Sequence, residues 1–134
     1  MVLRRLKYRK QPGPDASVPT DTVLYVVGDI HGHADRLAEI HRAIDRDAAG
    51  QRCSTRIEIY LGDYVDRGPD AAAVLDRLIE RAGRRWVIAL RGNHEAVMQD
   101  ALLSTQTLNL WCGMGGYRAR PPHWADRRHP HRRT

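Results

Sequence analysis

Apolar residues along this chain alternate between two periods. Thr22–Val27 (TVLYVV), Arg56–Leu61 (RIEIYL) and Arg85–Leu90 (RWVIAL) are short runs rich in β-branched residues. Runs of that length and make-up suit strands buried on both faces of a parallel sheet. His33–Ala49 places Leu37, Ile40, His41 and Ile44 at spacings of three and four, the stripe of an amphipathic helix that ends near Gly50. Pro69 suits the first turn of a second helix, with Ala73, Leu75, Leu78 and Ile79 as its apolar stripe up to Gly83. Glu95–Leu103 reads as a third, shorter helix. This alternation predicts an α/β fold with right-handed crossovers and a mostly parallel sheet covered by helices.

Three polar motifs follow the three strands: Gly28-Asp29-Ile30-His31-Gly32, Gly62-Asp63-Tyr64-Val65-Asp66-Arg67-Gly68 and Gly92-Asn93-His94-Glu95. In open α/β sheets ligands bind beyond the carboxyl ends of the strands, and all three motifs lie there. Asp29 and His31 alternate along an extended end, so both can face one cation, although a surface turn would use the same residues. Asp63 can bridge two cations, an arrangement that suits hydrolysis. Arg67 offers a planar fork for phosphate oxygens, and Asp66 can orient a histidine. The bland alternative is a polar loop capping the next helix, with Asp66 and Arg67 as a surface ion pair. Asn93 offers a neutral oxygen ligand, and His94 can serve as a general acid. Glu95 is either a first-turn acidic residue or a group that orients its neighbours.

Composition narrows the partners. The net charge of +6 comes from the two ends: residues 1–10 carry +5, residues 118–134 carry +5, and the segment between them carries −4. Basic residues confined to the ends read as solvated arms, so nucleic acid is not the expected partner. No run approaches the roughly 18 apolar residues of a membrane span. The basic start leads into Pro12-Gly13-Pro14 rather than an apolar stretch, which argues against a signal peptide. Cys53 and Cys112 then read as free thiols of a cytoplasmic protein. No Gly-x4-Gly-Lys-Ser/Thr follows the first strand, which excludes a P-loop nucleotide site.

Taken together, the three motifs resemble the phosphoprotein-phosphatase branch of the calcineurin-like metallophosphoesterases, over roughly residues 22–104. The pairing of Asp66 with Arg67 is similar to serine/threonine protein phosphatases. Symmetrical dinucleoside-tetraphosphate hydrolases are a close alternative. The resemblance implies an αββα sandwich, of which this chain holds the N-terminal half. It implies hydrolysis of phosphomonoesters, from a phosphoprotein or a small phosphoester, by attack of a metal-bridging hydroxide. Asp29, His31 and Asp63 would hold the first metal and Asn93 the second, with Asp63 between them. Arg67 would contact the phosphate, and His94, paired with Asp66, would be the general acid. The cofactors implied are two divalent ions, manganese first, with iron or zinc as alternatives.

The family completes its second metal site with two further histidines on later strands, which are missing here, so that site is incomplete. Leu110–Gly116 (LWCGMGG) resembles the family's Trp-x-x-x-Gly-Gly stretch, after which the composition changes abruptly. The expected organisation is an irregular basic arm at 1–21, a truncated domain at 22–117 and a disordered Arg/Pro/His-rich tail at 118–134. A frameshift near residue 117 would account for the change, and the chain is then a fragment that need not be active. His123, His129 and His131 have no strand to aim them and are not expected to replace the lost ligands. His33 matches no motif position, and His41 reads as a helix-face residue. Half of a two-sheet domain would also leave one apolar sheet face uncovered.

Overall fold

The computed structural model describes residues 17–116. The basic arm before residue 17, the tail expected from residue 118, and His123, His129 and His131 lie outside the described residues. Residues 17–21, which include Pro19, form no helix or strand.

The elements run β1 (Thr22–Val27), α1 (Ala34–Gly50), β2 (Thr55–Tyr60), α2 (Ala71–Ala82), β3 (Trp86–Ala89), α3 (Asn93–Ala101) and α4 (Thr105–Gly113). The three strands pair in parallel in the order β1-β2-β3. A helix joins each strand to the next, α1 between β1 and β2 and α2 between β2 and β3, as the parallel geometry demands. The α/β class read from the pattern is therefore the class observed.

Two helix boundaries differ from the expected ones for local reasons. In α2 Pro69 lies before the helix, and Asp70 is the cap, its Oδ1 accepting from the backbone N–H of Ala73 at 2.8 Å. The residues buried on α2 are Ala71, Val74 and Leu78, while Ile79 is 71% exposed. Ile79 follows Leu78 by about 100° around the helix, which is enough to carry it off the core. α3 begins at Asn93, because Gly92 is already extended and acts as its cap. The pattern also missed α4, whose sequence TQTLNLWCG has little amphipathic period and a single buried residue, Trp111. Its one local signal is Ser104, whose hydroxyl accepts from Thr107 N–H.

One sheet face carries the core. Tyr25, Val27 and Tyr60 are buried there with Leu37, Ile40 and Ile44 of α1 and Val74 and Leu78 of α2. A polar network crosses the same layer. Glu58, 3% exposed, takes two hydrogen bonds from Arg81 Nε and one from Arg81 NH2, and Arg81 also reaches Asp45 at 2.8 and 2.9 Å. Tyr60 Oη donates to Glu58 at 2.7 Å and meets His41 Nε2 at 3.0 Å, so His41 is a donor here rather than a ligand. Burial, aided by the Arg81 charge, holds the His41 imidazole below its ordinary value of 6.5.

The other face is open. Sheet register places Leu24, Ile57 and Trp86 in one row and Val26, Ile59 and Ile88 in the next. Leu24, Trp86 and Ile88 are 38%, 61% and 39% exposed, so among the described residues this apolar face is left largely uncovered. No described helix is long and apolar enough to cross a membrane.

His41 makes a prediction. Its lowered value means that the unfolded chain takes up a proton first as the pH drops through about 6.5, so stability declines from pH 7 toward pH 5. Thermal melts should show that decline, and His41→Gln should remove part of it. A wild-type decline that His41→Gln leaves unchanged would contradict the assignment.

Candidate active site

The three motif loops meet at the carboxyl ends of the strands through backbone contacts. The Asp63 carbonyl accepts from the N–H groups of Ile30 and His31 at 3.0 and 2.8 Å, and Gly32 N–H donates to the Tyr64 carbonyl at 2.7 Å. The Gly32 carbonyl in turn accepts from Asp70 N–H at 3.0 Å, tying the first loop to the start of α2. Gly68 makes the tightest approach. A Cβ at that position would fall within 2.7 Å of the Gly32 carbonyl carbon and onto the His31 carbonyl, so no larger residue fits.

Glu95 joins the second and third loops. One of its carboxylate oxygens accepts from the N–H groups of Gly92 and Asp63 at 3.0 and 2.8 Å. The other accepts from Tyr64 and Val65 at 2.8 and 3.1 Å. Both sequence readings of Glu95 hold: it is the acidic residue of the first turn of α3, accepting from the cap Gly92, and it orients the loop after β2. Tyr64 anchors the same loop from below, its hydroxyl donating toward the carbonyls of Tyr60 and Leu90 at 3.1 and 2.6 Å. Burial first, and then the nearby Glu95 charge, push the Tyr64 phenol up to about 12, so it keeps its proton.

This framework holds four non-glycine residues in the left-handed region: His31 (φ 48°), Asp63 (55°), Asp66 (69°) and Arg67 (61°). Such conformations cost of order 1–3 kcal/mol each and persist only where the surroundings fix them. All four belong to the candidate set read from the sequence.

The side chains converge. Ligand atoms of His31, Asp63 and His94 all lie within 4.8 Å of one another. His31 Nδ1 lies 3.0 Å from the Val65 carbonyl, which fixes the proton on Nδ1 and leaves Nε2 as a lone pair. That Nε2 is buried without a hydrogen-bond partner, the arrangement a cation would satisfy. Asp29 Oδ2 sits 3.7 Å from it, on a side chain 67% exposed. Asp63 Oδ1 accepts from His94 N–H at 3.1 Å. Asn93 opens α3 at an exposed position, next to His94 in the chain. The buried lone pair and the mixed carboxylate and imidazole donors fit a divalent cation.

Asp66 and His94 form a buried pair, 0% and 2% exposed, with His94 Nδ1 at 2.8 Å from Asp66 Oδ2. The surface ion pair with Arg67 is therefore not what forms. Arg67 instead places NH2 3.1 Å from His94 Nε2. The His31 and His94 rings meet edge to face, 4.7 Å between centroids. Asp29, His31 and Arg67 line an open cleft of about 480 Å³, with His33 and Arg36 of the α1 start on its rim. Sequence reasoning did not single out Trp111, which touches Asp66; its only sign was the Trp-x-x-x-Gly-Gly spacing.

With that geometry, the sequence matches calcineurin-like phosphoesterases over residues 22–132, and the chain belongs to that family. Among curated relatives, it is 38% identical to serine/threonine-protein phosphatase 1 of Salmonella typhimurium over 93 residues, covering 69% of this chain and 38% of that protein. It is 38% identical to serine/threonine-protein phosphatase 2 of the same organism over 98 residues, covering 70% and 38%. A putative serine/threonine-protein phosphatase of Schizosaccharomyces pombe is 41% identical over 81 residues, covering 59% and 24%. The chain thus spans less than two fifths of the length of these relatives. No solved structure matches it.

Glu95→Gln should lower stability by about 1.5–3 kcal/mol, because an amide NH2 turned toward two of the four N–H donors cannot accept from them. Urea denaturation monitored by circular dichroism measures this as a lower midpoint with an unchanged slope. An unchanged midpoint would contradict the bridging role.

Proposed function

We propose that this site hydrolyses phosphate monoesters with divalent cations, as a phosphatase of the serine/threonine-protein type. The observation that carries the reading is the buried His94–Asp66 pair facing the unpartnered His31 Nε2 and the Asp63 carboxylate. In this reading Asp29, His31 and Asp63 hold one cation, and Asp63 with Asn93 hold a second. Manganese is the first choice, with iron or zinc as alternatives. Bound there, divalent cations supply Lewis-acid activation of water and of the phosphoryl group.

The remaining steps belong to the chain's own side chains. Arg67 binds phosphoryl oxygens through its planar fork, at the mouth of the cleft. A substrate so held presents its leaving oxygen to His94 Nε2, the ring nitrogen Arg67 already reaches. A proton on Nε2 passes to that oxygen as the P–O bond breaks, and His94 regains a proton from solvent. Asp66, behind Nδ1, stabilises the imidazolium form and holds the ring toward the substrate. The names of the relatives, serine/threonine-protein phosphatases, and the Asp66–Arg67 sequence favour a phosphoprotein over a dinucleoside tetraphosphate as substrate. Cys53 and Cys112 form no disulfide, which fits the reducing conditions of the cytoplasm.

A second reading, a non-catalytic site that binds one cation or phosphate, has one observation in its favour. Among the described residues the clustered ligand atoms are those of His31, Asp63 and His94, enough for a single cation.

Turnover decides between the two. With manganese, the purified chain should hydrolyse para-nitrophenyl phosphate and phenyl phosphate, and Asp63→Asn should abolish both activities. His94→Asn should lower kcat for phenyl phosphate, a poor leaving group, by about 10²–10⁴. No turnover by a folded chain would favour the binding reading, and turnover kept in both variants would contradict the site assignment.

A further inference from the structure

Trp111 lies 45 residues from Asp66, on a helix that follows all three motif loops, yet its indole meets the acid pair directly. The Nε1–H donates to both carboxylate oxygens of Asp66, at 2.9 and 3.0 Å. Trp111 is itself buried, 6% exposed. Asp66 has no exposure, so water does not serve its carboxylate. A buried carboxylate needs its lone pairs satisfied, and the torsion that turns its plane is soft. A single bond to His94 Nδ1 would leave that plane free to swing and the imidazole with it. The indole, shared between the two oxygens, fixes the plane so that Oδ2 stays on Nδ1.

The residues after Trp111 hold this contact in place. Gly115 (φ 104°) passes over the Arg67 backbone, where a Cβ would stand 3.2 Å from Arg67 N. Gly116 lies flat against the indole, and any Cβ there would overlap the ring. The Trp-x-x-x-Gly-Gly spacing thus serves three contacts: an N–H on Asp66, a backbone over Arg67 and a lid on the indole.

We propose that Trp111 is a positioning residue of this site. Through Asp66 it fixes the orientation and tautomer of His94, with the proton on Nδ1 and Nε2 turned to the cleft. A purely apolar side chain would fill the same space but leave Asp66 under-bonded. The catalytic meaning of this contact rests on the reading of His94 as general acid; the orienting effect itself does not.

The test uses the metal-free chain and nitrogen-15 spectra of its histidine rings. In the wild type, His94 is a single tautomer with a slowly exchanging Nδ1 proton. Trp111→Phe keeps an aromatic ring and removes the donor. It should give a second His94 tautomer and speed exchange of the Nδ1 proton about tenfold or more, as expected for loss of a hydrogen bond to a charged group. Ser104→Ala removes the cap of the same helix while keeping the indole, and should leave the His94 signals unchanged. The proposal is overturned if Trp111→Phe leaves tautomer and exchange as they were, or if Ser104→Ala alters them equally. Should Trp111→Phe fail to fold, the wild-type indole proton decides. It must be protected from exchange and must shift on Asp66→Asn, and exchange at the rate of an exposed tryptophan overturns the proposal. In an active enzyme, Trp111→Phe should lower kcat for phenyl phosphate about tenfold more than for para-nitrophenyl phosphate, with KM within about twofold. A chain without turnover would remove the general-acid reading and leave the tautomer result standing, so the two failures are distinguishable.

Discussion

The Glu95 carboxylate is the interaction on which the rest of the site depends. It accepts four backbone N–H groups, one from its own helix entry and three from the loop after β2. Those donors point inward, away from water and from any regular ladder. Without an acceptor of this charge and shape, each would be a buried unsatisfied donor. With it, the loop after β2 becomes a rigid continuation of the third motif. Asp63, Asp66 and Arg67 then hang from a backbone that cannot relax into an ordinary turn.

That rigidity explains why the left-handed residues collect here. His31, Asp63, Asp66 and Arg67 hold conformations that a free loop would abandon. The Glu95 bridge, the Asp63 carbonyl shared by Ile30 and His31, and the close passage of Gly68 over the first loop each remove one way of escape. The strain has a use: it turns the His31 and His94 imidazoles and the Asp63 carboxylate toward one point while their backbones stay tied to three different strand ends. The Glu58–Arg81–Asp45 network, on the helix-covered face of the sheet, serves a different end. It knits α1, β2 and α2 so that the strand ends keep their spacing. A buried ion pair of this kind specifies geometry more surely than it adds stability.

Much of this was legible in the sequence because two independent signals coincide. Short β-branched runs give the strands, and the polar motifs fall at their carboxyl ends, so fold and site support each other. The stripe Leu37, Ile40 and Ile44 placed α1 correctly because helical spacing and burial agree there. In α2 they do not: Leu75 and Ile79 fit the period as well as Val74 and Leu78, and only the packing partner decides between them. Trp111 and α4 were illegible for another reason. Their role at the site is a long-range contact, the indole N–H shared between both carboxylate oxygens of Asp66, and periodicity carries no trace of it. The role of Glu95 was half legible, since a glutamate at that helix position could serve its own N-terminus alone; the bond to three donors of another loop appears only in three dimensions.

The central claim is that the loops of the three motifs form one cation site. Manganese uptake by the purified chain, followed through loss of the free-ion paramagnetic resonance signal, tests it most directly. The account predicts at least one ion bound per chain, with affinity weakened about 100-fold or more by Asp63→Asn and by His31→Ala, since each removes a direct ligand and even outer partners are worth 10–100-fold. A folded chain that takes up no manganese, or binds it as well in both variants, would contradict the account.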